Sequence, residues 1–239
     1  MKNINETIKP SVREGYYHKT LDGQFLKGVN KQLSAYFTPF DALQKATLMT
    51  GSLDEAYALV KEWEDKGKAG IARGKKLDKF ADDFLYDPTT TAEDDNQKLL
   101  AAYIRKELGF SEGISLVEYS ELIDSKYQAF LVQPSIYQEE VKVEFTRLGT
   151  DATIKMKNVI GIPDFVIQDK EGNVTIYDWK CYYSDLERAF DKSKLGFPES
   201  KLNKCKAAVI VYAYLLGVPV DNVKLKIVNV TDKVEEYCF

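Results

Sequence analysis

Gly161-Ile162-Pro163-Asp164-Phe165-Val166-Ile167-Gln168-Asp169-Lys170-Glu171-Gly172-Asn173-Val174-Thr175-Ile176-Tyr177-Asp178-Trp179-Lys180 is the stretch from which the fold is read most directly. It has the pattern of two strands joined by a tight turn. Lys170-Glu171-Gly172 suits a three-residue loop with Gly172 in the left-handed conformation. Asp169 then pairs with Asn173, and counting back along both strands sets Asp164 opposite Asp178. Side chains alternate along a strand. Ile162, Asp164 and Val166 therefore share one face of the first strand, and Ile176, Asp178 and Lys180 share one face of the second. A two-residue turn would shift the register and place Trp179 opposite Asp164, so everything drawn from this pair rests on the loop length.

Two carboxylates and a lysine on one surface suit a particular chemistry. Hydrolysis of a phosphodiester needs a cation that polarises the phosphate and lowers the pKa of a water. Mg²⁺ takes oxygen ligands and is usually held by one or two carboxylates, with waters and substrate phosphate completing its shell. Asp164 and Asp178 can supply the carboxylates. Lys180, two residues from Asp178, can orient or deprotonate the attacking water or offset charge in the transition state. An acid-x-Lys tripeptide alone says little, because Glu64-Asp65-Lys66, Asp124-Ser125-Lys126 and Glu140-Val141-Lys142 also occur. Asp178-Trp179-Lys180 differs in ending an apolar strand, where charge is costly unless used, and in facing a second aspartate that follows Gly-x-Pro.

Outward from the hairpin, the texture changes near residue 113. Downstream, strands are expected at Tyr127–Val132, Gln138–Thr146, Ala152–Lys157, Ile160–Gln168, Val174–Lys180 and Val223–Val230. Helices are expected near Asp185–Lys192 and at Lys201–Leu216, the latter ended by Gly217 and Pro219. Upstream, Ser52–Lys66 opens with a capping-box pattern of Ser52 and Glu55. Gly70–Leu85 has apolar residues at near-helical spacing, and Thr91–Leu108 is ended by Gly109. Residues 1–38 read as irregular, with a short helix near Val29–Tyr36. The expectation is an α/β fold: a mainly helical N-terminal region, residues 1–110, packed on a core of residues 111–239, as one integrated domain.

Counting removes several alternatives. The one histidine, His18, excludes a zinc site built on two histidines. The three cysteines, Cys181, Cys205 and Cys238, form neither a disulfide framework nor a C-x-x-C pair. No Gly-x-x-x-x-Gly-Lys-Ser/Thr motif is present, which argues against a built-in ATP-driven motor. No apolar run approaches the ~18 residues of a membrane span. With a polar N-terminus lacking a signal core, the expectation is an intracellular, cytoplasmic protein with no membrane partner. Net charge is −4, yet cations cluster over Lys61–Lys79 and Lys192–Lys206, and local patches decide phosphate binding.

At Gly161-Ile162-Pro163-Asp164, at Asp178-Trp179-Lys180 and at the helix Lys201–Leu216, the sequence resembles the PD-(D/E)xK nucleases. The branch it is most similar to contains RecB-type nuclease domains and phage and mitochondrial exonucleases. The resemblance covers roughly residues 138–216. It implies a restriction-endonuclease-like core, a mixed central sheet flanked by helices, with the helical N-terminal region walling a DNA channel. It also implies that Asp164 and Asp178 ligate Mg²⁺ (Mn²⁺ substituting), with the Trp179 carbonyl completing the site and Lys180 as the catalytic lysine. Glu140 is the best candidate for a supporting acid one strand earlier, with Glu139 and Glu144 also open.

Two departures stand out. The family helix carries Gln four residues before its Tyr; here that position is Ala208, with Tyr212 retained. Second, a Gly-Thr-x-x-His helix often supplies a metal-binding His. The nearest match is Gly74-Lys75-Lys76-Leu77-Asp78, read as a surface helix, with Asp78 as a metal ligand the alternative. Three scattered cysteines do not suit the four-cysteine iron–sulfur cluster of some relatives, so none is expected. The implied partner is DNA, its backbone held by Lys75, Lys76, Lys201 and Lys204, with Trp63 or Tyr183 stacking on bases. The resemblance leaves room for a recombination or replication protein as a further partner and for an oligomer. The implied activity is exonucleolytic cleavage of DNA in recombination, repair or replication, in a setting that suits a phage. A structure-specific or restriction-like endonuclease and an inactive nuclease-fold binding or regulatory protein are the alternatives.

Overall fold

The computed structural model describes residues 3–14, 17–109, 126–189 and 191–239. The boundary expected between residues 110 and 111 lies outside them. The described strands form two five-stranded sheets. One runs β1 (Ser11–Glu14), β2 (Tyr17–Thr20), β3 (Phe25–Gly28), β6 (Thr153–Gly161), β5 (Ile136–Glu144). The other runs β10 (Val234–Cys238), β9 (Val223–Val230), β8 (Val174–Lys180), β7 (Phe165–Asp169), β4 (Tyr127–Val132). Each sheet is mixed: β3 and β6 are parallel, as are β8 and β9, and the remaining pairs are antiparallel. The fold is α/β, as expected.

The hairpin has the expected register. Phe165 pairs with Tyr177 and Gln168 with Val174. The turn is closed by Asp169 N–H to the Asn173 carbonyl at 3.0 Å and Gly172 N–H to the Asp169 carbonyl at 3.0 Å. Gly172 has φ +89°, a conformation other residues adopt only with strain. The Asp169 carboxylate also accepts from Asn173 N–H at 2.8 Å.

Period-two alternation splits this sheet between two cores. Val166, Val174, Ile176, Leu225 and Ile227 face one cluster, with helix α5 (Lys201–Leu216). Phe165, Ile167, Tyr177, Trp179 and Val228 face the other, with the C-terminal part of α3 (Leu53–Tyr86) and with α4 (Asp95–Leu108). Helix α5 carries Ser200 as its N-cap, bonded to Asn203 N–H at 3.1 Å, and ends on Gly217 at φ +66°. Ten of its 16 residues are buried, as expected for a helix packed on more than one side. Its core also takes in Val143, Ile154 and Val159 of the first sheet.

Several expected boundaries moved. The two helices expected at 52–66 and 70–85 are one helix, α3, of 34 residues, about 50 Å long. Gly67, Gly70 and Gly74 weaken a helix without ending it, since none is forced to positive φ. Ser52 stands at the N-cap but makes no capping bond, and its N–H instead reaches Thr50 Oγ1 at 3.3 Å. The strand expected from Ile160 to Gln168 is broken. Strand β6 runs through the left-handed Asn158 (φ +48°) to Gly161, and after residues 162–164 the chain enters the other sheet as β7. The described residues of 185–192 are not helical. The Asp185 carboxylate there accepts from Glu187 N–H (2.9 Å) and Arg188 N–H (3.2 Å), a local alternative to helical bonding. The N-terminal region is less helical than expected, because residues 11–28 contribute three strands and β3 pairs with β6. The short helix expected at Val29–Tyr36 is present as α1 (Val29–Leu33) and a 3-10 turn. Helix α2 (Ala42–Thr50), capped by Asp41, packs on the start of α3. No helix among the described residues is long and apolar enough to cross a membrane.

Candidate active site

The site forms where the chain changes sheets. Backbone pairing between β7 and β8 stops at Phe165 and Tyr177. Beyond it a side chain continues the ladder: Asp164 Oδ2 accepts from Trp179 N–H at 2.6 Å. The chain reaches this point by passing close under α5. A Cβ added to Gly161 would lie 2.6 Å from Tyr212 Cδ1 and 2.9 Å from Leu215 Cδ1. The glycine of Gly-Ile-Pro-Asp is thus required by close approach, which fixes Tyr212 above the segment leading to Asp164.

Lys180 Nζ lies among three oxygens: Asp178 Oδ2 at 2.7 Å, the Trp179 carbonyl at 2.9 Å and Asp164 Oδ2 at 4.0 Å. The ammonium occupies a nest of oxygen donors at the end of an apolar strand. Asp178 is buried, and Asp164 and Lys180 are mostly so. Burial pushes the Asp164 carboxyl well above the usual carboxylate range. Lys180 and the Trp179 N–H oppose that rise, while Asp178 and Asp78 add to it. For Lys180, burial works against the charged form, but Asp178 and Asp164 outweigh it and hold the ammonium firmly protonated.

Asp78 is drawn toward this cluster from α3, while Arg73, Lys75, Lys76 and Lys79 beside it on the helix are exposed. It is half-buried, and its carboxyl is pushed up to about 6 by burial and by Asp178, with Lys180 opposing. The cause is its place at the inner end of the exposed stretch, next to the buried Leu77 that packs on the sheet. One turn on, Asp82 is pushed up to about 7 by burial and by Asp78 and Asp83. Its Oδ2 accepts from Gln133 Nε2 at 2.6 Å, while its buried Oδ1 has no partner among the described residues. Sequence reading missed Asp82. The signal available was an acid pair at i, i+4, a spacing that disfavours two like charges. It also missed Cys205, whose thiol burial pushes up to about 12 and which interacts with Lys180.

The remaining candidates divide. Glu140 is exposed on β5 opposite Lys157, in the other sheet. No described interaction joins it to Asp164, Asp178 or Lys180, and Glu139 and Glu144 are likewise exposed. The reason is topological: the neighbour of β7 away from β8 is β4, whereas β5 belongs to the first sheet. Lys76 turns toward α4, pairing with Glu93 (3.0 Å) and Asp94 (3.3 Å). Lys204 pairs with the buried Glu199 at 2.7 Å. Lys75 and Lys201 line a cleft of about 1050 Å³ that opens onto Lys180 and Asp78. A second cleft, of about 380 Å³, reaches Asp178 and Lys180 from the α5 side, past Cys205, Ala208 and Tyr212. Ala208 leaves this second approach open where a longer side chain would project.

Among the described residues, no three carboxylate, cysteine or histidine side chains meet as a ready metal cage. The donor set is two carboxylates and a carbonyl, already converging on one cation, the Lys180 ammonium. That composition fits a hard divalent ion bound with waters and substrate oxygens. No family model, no curated protein and no solved structure matches the chain.

Proposed function

We propose that this protein is a Mg²⁺-dependent nuclease of the PD-(D/E)xK type, hydrolysing DNA phosphodiester bonds, with exonucleolytic cleavage the favoured mode. One observation carries the reading: Asp164 and Asp178 meet across the hairpin, with Lys180 Nζ within 4.0 Å of both. Asp164, Asp178 and the Trp179 carbonyl would hold the metal, with Asp78 close enough to tune it. The ion, when bound, supplies Lewis acidity toward a phosphate oxygen and a more acidic water. Lys180 would orient the attacking water or hold charge that develops on the phosphate. The restriction-endonuclease-like core belongs to the same proposal, supported by a mixed sheet covered by helices on both faces.

The test is digestion of end-labelled linear DNA with Mg²⁺ or Mn²⁺, wild type beside Asp178→Ala. The expected loss is about 10³-fold or more, with covalently closed circles left intact by both. Equal digestion by the two proteins would remove the site assignment. Nicking of closed circles by the wild type alone would keep the site and replace exonuclease by endonuclease.

A further inference from the structure

The larger cleft has one wall from α3 and another from the segment that follows β8, with Lys201 of α5 at its edge. Flanked by Lys66, Ile71, Arg73 and Lys75 of the same helix, one stripe runs along the α3 wall: Trp63, Gly67, Gly70, Gly74 and Asp78. Their spacings of four, three, four and four put them on one helix face. From Trp63 to Asp78 the stripe is about 22 Å long, and it ends at the carboxylates.

Nothing in the packing calls for the three glycines. A Cβ at Gly67 or Gly74 would meet nothing within 4 Å, and one at Gly70 would meet only the end of Arg73 at 3.9 Å. Each weakens a helix interior relative to alanine. What they do is keep the middle of this wall free of side chains. Around the glycine stripe the cleft carries rings and cations, some from α3 itself and some from the segment after β8. Tyr183 is 54% exposed, with the Arg73 guanidinium 5.2 Å from its ring centroid. The Lys201 ammonium lies 5.4 Å from the Tyr182 ring and bonds Ser184 Oγ at 2.7 Å. Lys66 and Lys75 complete the cationic lining. Trp179 also lines the cleft, and its buried indole N–H has no partner among the described residues.

Rings interleaved with cations beside a stripe of glycines match the chemistry of one unpaired strand. Phosphates meet the cations, and bases stack on the rings, which a duplex with its bases inside cannot do. Building on the proposed nuclease reading, we infer that the α3 cleft is a track for a single nucleic-acid strand, running from Trp63 past Tyr183 to the Asp164–Asp178–Lys180 cluster. The site therefore receives its scissile phosphate on an unpaired strand. The track matches about six stacked nucleotides at ~3.4 Å each.

The experiment is fluorescence anisotropy of 5′-fluorescein-labelled dT15 and of a blunt 15-bp duplex, in EDTA so that no hydrolysis intervenes. The proteins are wild type, Gly74→Leu, and Trp63→Ala/Tyr183→Ala, each with its melting temperature recorded. Wild type is expected to prefer dT15, and dT4 is expected to bind weakly. Gly74→Leu should bind dT15 at least about tenfold more weakly without a lower melting temperature, because its side chain enters open cleft and not a core. The double variant should lose a comparable factor. Wild-type preference for the blunt duplex, or unchanged dT15 affinity in Gly74→Leu, would overturn the track. The two proposals fail separately. Track binding lost in Gly74→Leu by a wild type that never digests DNA keeps the track and removes the nuclease. Digestion lost in Asp178→Ala while Gly74→Leu binds dT15 normally keeps the nuclease and removes the track.

Discussion

The two halves of α3 obey different rules although they form one continuous helix. From Leu77 onward it buries Leu77, Phe80, Ala81, Phe84 and Leu85 against the second sheet and α4. From Leu53 to Lys76 its one buried residue is Ala56, and Leu53, Tyr57 and Ile71 are exposed. The inner half is held by apolar area removed from water. The outer half is held by backbone bonding, by the α2 contact and by surface ion pairs such as Lys68–Asp65, which contribute little. Asp78 stands at the junction. The difference teaches that the inner half anchors and that the outer half is free to be shaped by what lies in the cleft.

The largest expected effect tests the anchor. Phe84 is 1% exposed, stacks on Phe80 at 5.5 Å and has the Arg105 guanidinium 4.8 Å from its ring centroid. Phe84→Ala should destabilise the protein by about 3–5 kcal/mol, read by urea denaturation. Tyr57→Ala in the outer half should change stability by less than about 0.5 kcal/mol. Similar losses for both would mean that the helix is held evenly along its length.

The next effect belongs to the junction. Asp78→Ala should lower Mg²⁺-dependent digestion, or raise the Mg²⁺ needed for half-maximal rate, by about 10–100-fold. Asp78→Asn, which keeps the volume and one acceptor oxygen, should recover part of the loss. A Mg²⁺ requirement unchanged in Asp78→Ala would return this residue to the surface role first read for it. A smaller effect of opposite sign comes from the outer half. Gly67→Ala and Gly74→Ala should each stabilise by about 1 kcal/mol, seen as a higher melting temperature. Destabilisation by either would show that these glycines serve a backbone bend and not an open wall.

Much of the site was legible in the sequence because local rules generate it. Hairpin register follows from loop length and the glycine at its left-handed position, and register alone sets Asp164 against Asp178. Helix α5 announced itself by an apolar run and a terminal glycine. What was not legible depended on which strands become neighbours. Glu140 looked like a supporting acid because it precedes β7 in sequence, but the chain changes sheets at residues 162–164. Asp78 looked like surface because Lys75, Lys76 and Lys79 surround it, and α3 carries it to the cluster from over 80 residues away. The strands of residues 11–28 are short and partly exposed, with no clear alternation to reveal them.

A last effect separates the two halves by proton uptake. In the fold burial pushes the carboxyl of Asp82 up to about 7 and that of Asp78 up to about 6, whereas an unfolded aspartate titrates near ~3.9. Below pH ~4 both states hold these protons and the groups leave stability unchanged. As pH rises from 4 through 7, the unfolded chain releases them and the native state retains them, so native stability falls. Metal-free protein should therefore melt at a lower temperature at pH 8 than at pH 5. Asp82→Asn should raise the melting temperature at pH 8, leave it nearly unchanged at pH 4 and flatten the profile between. Asp78→Asn/Asp82→Asn should flatten it further. If Asp82→Asn kept the wild-type slope, the buried charge at the junction would not be the cause. A divalent ion held by the proposed site would stabilise the ionised Asp78 carboxylate, so Mg²⁺ should shrink the same slope in the wild type and do less in the double variant.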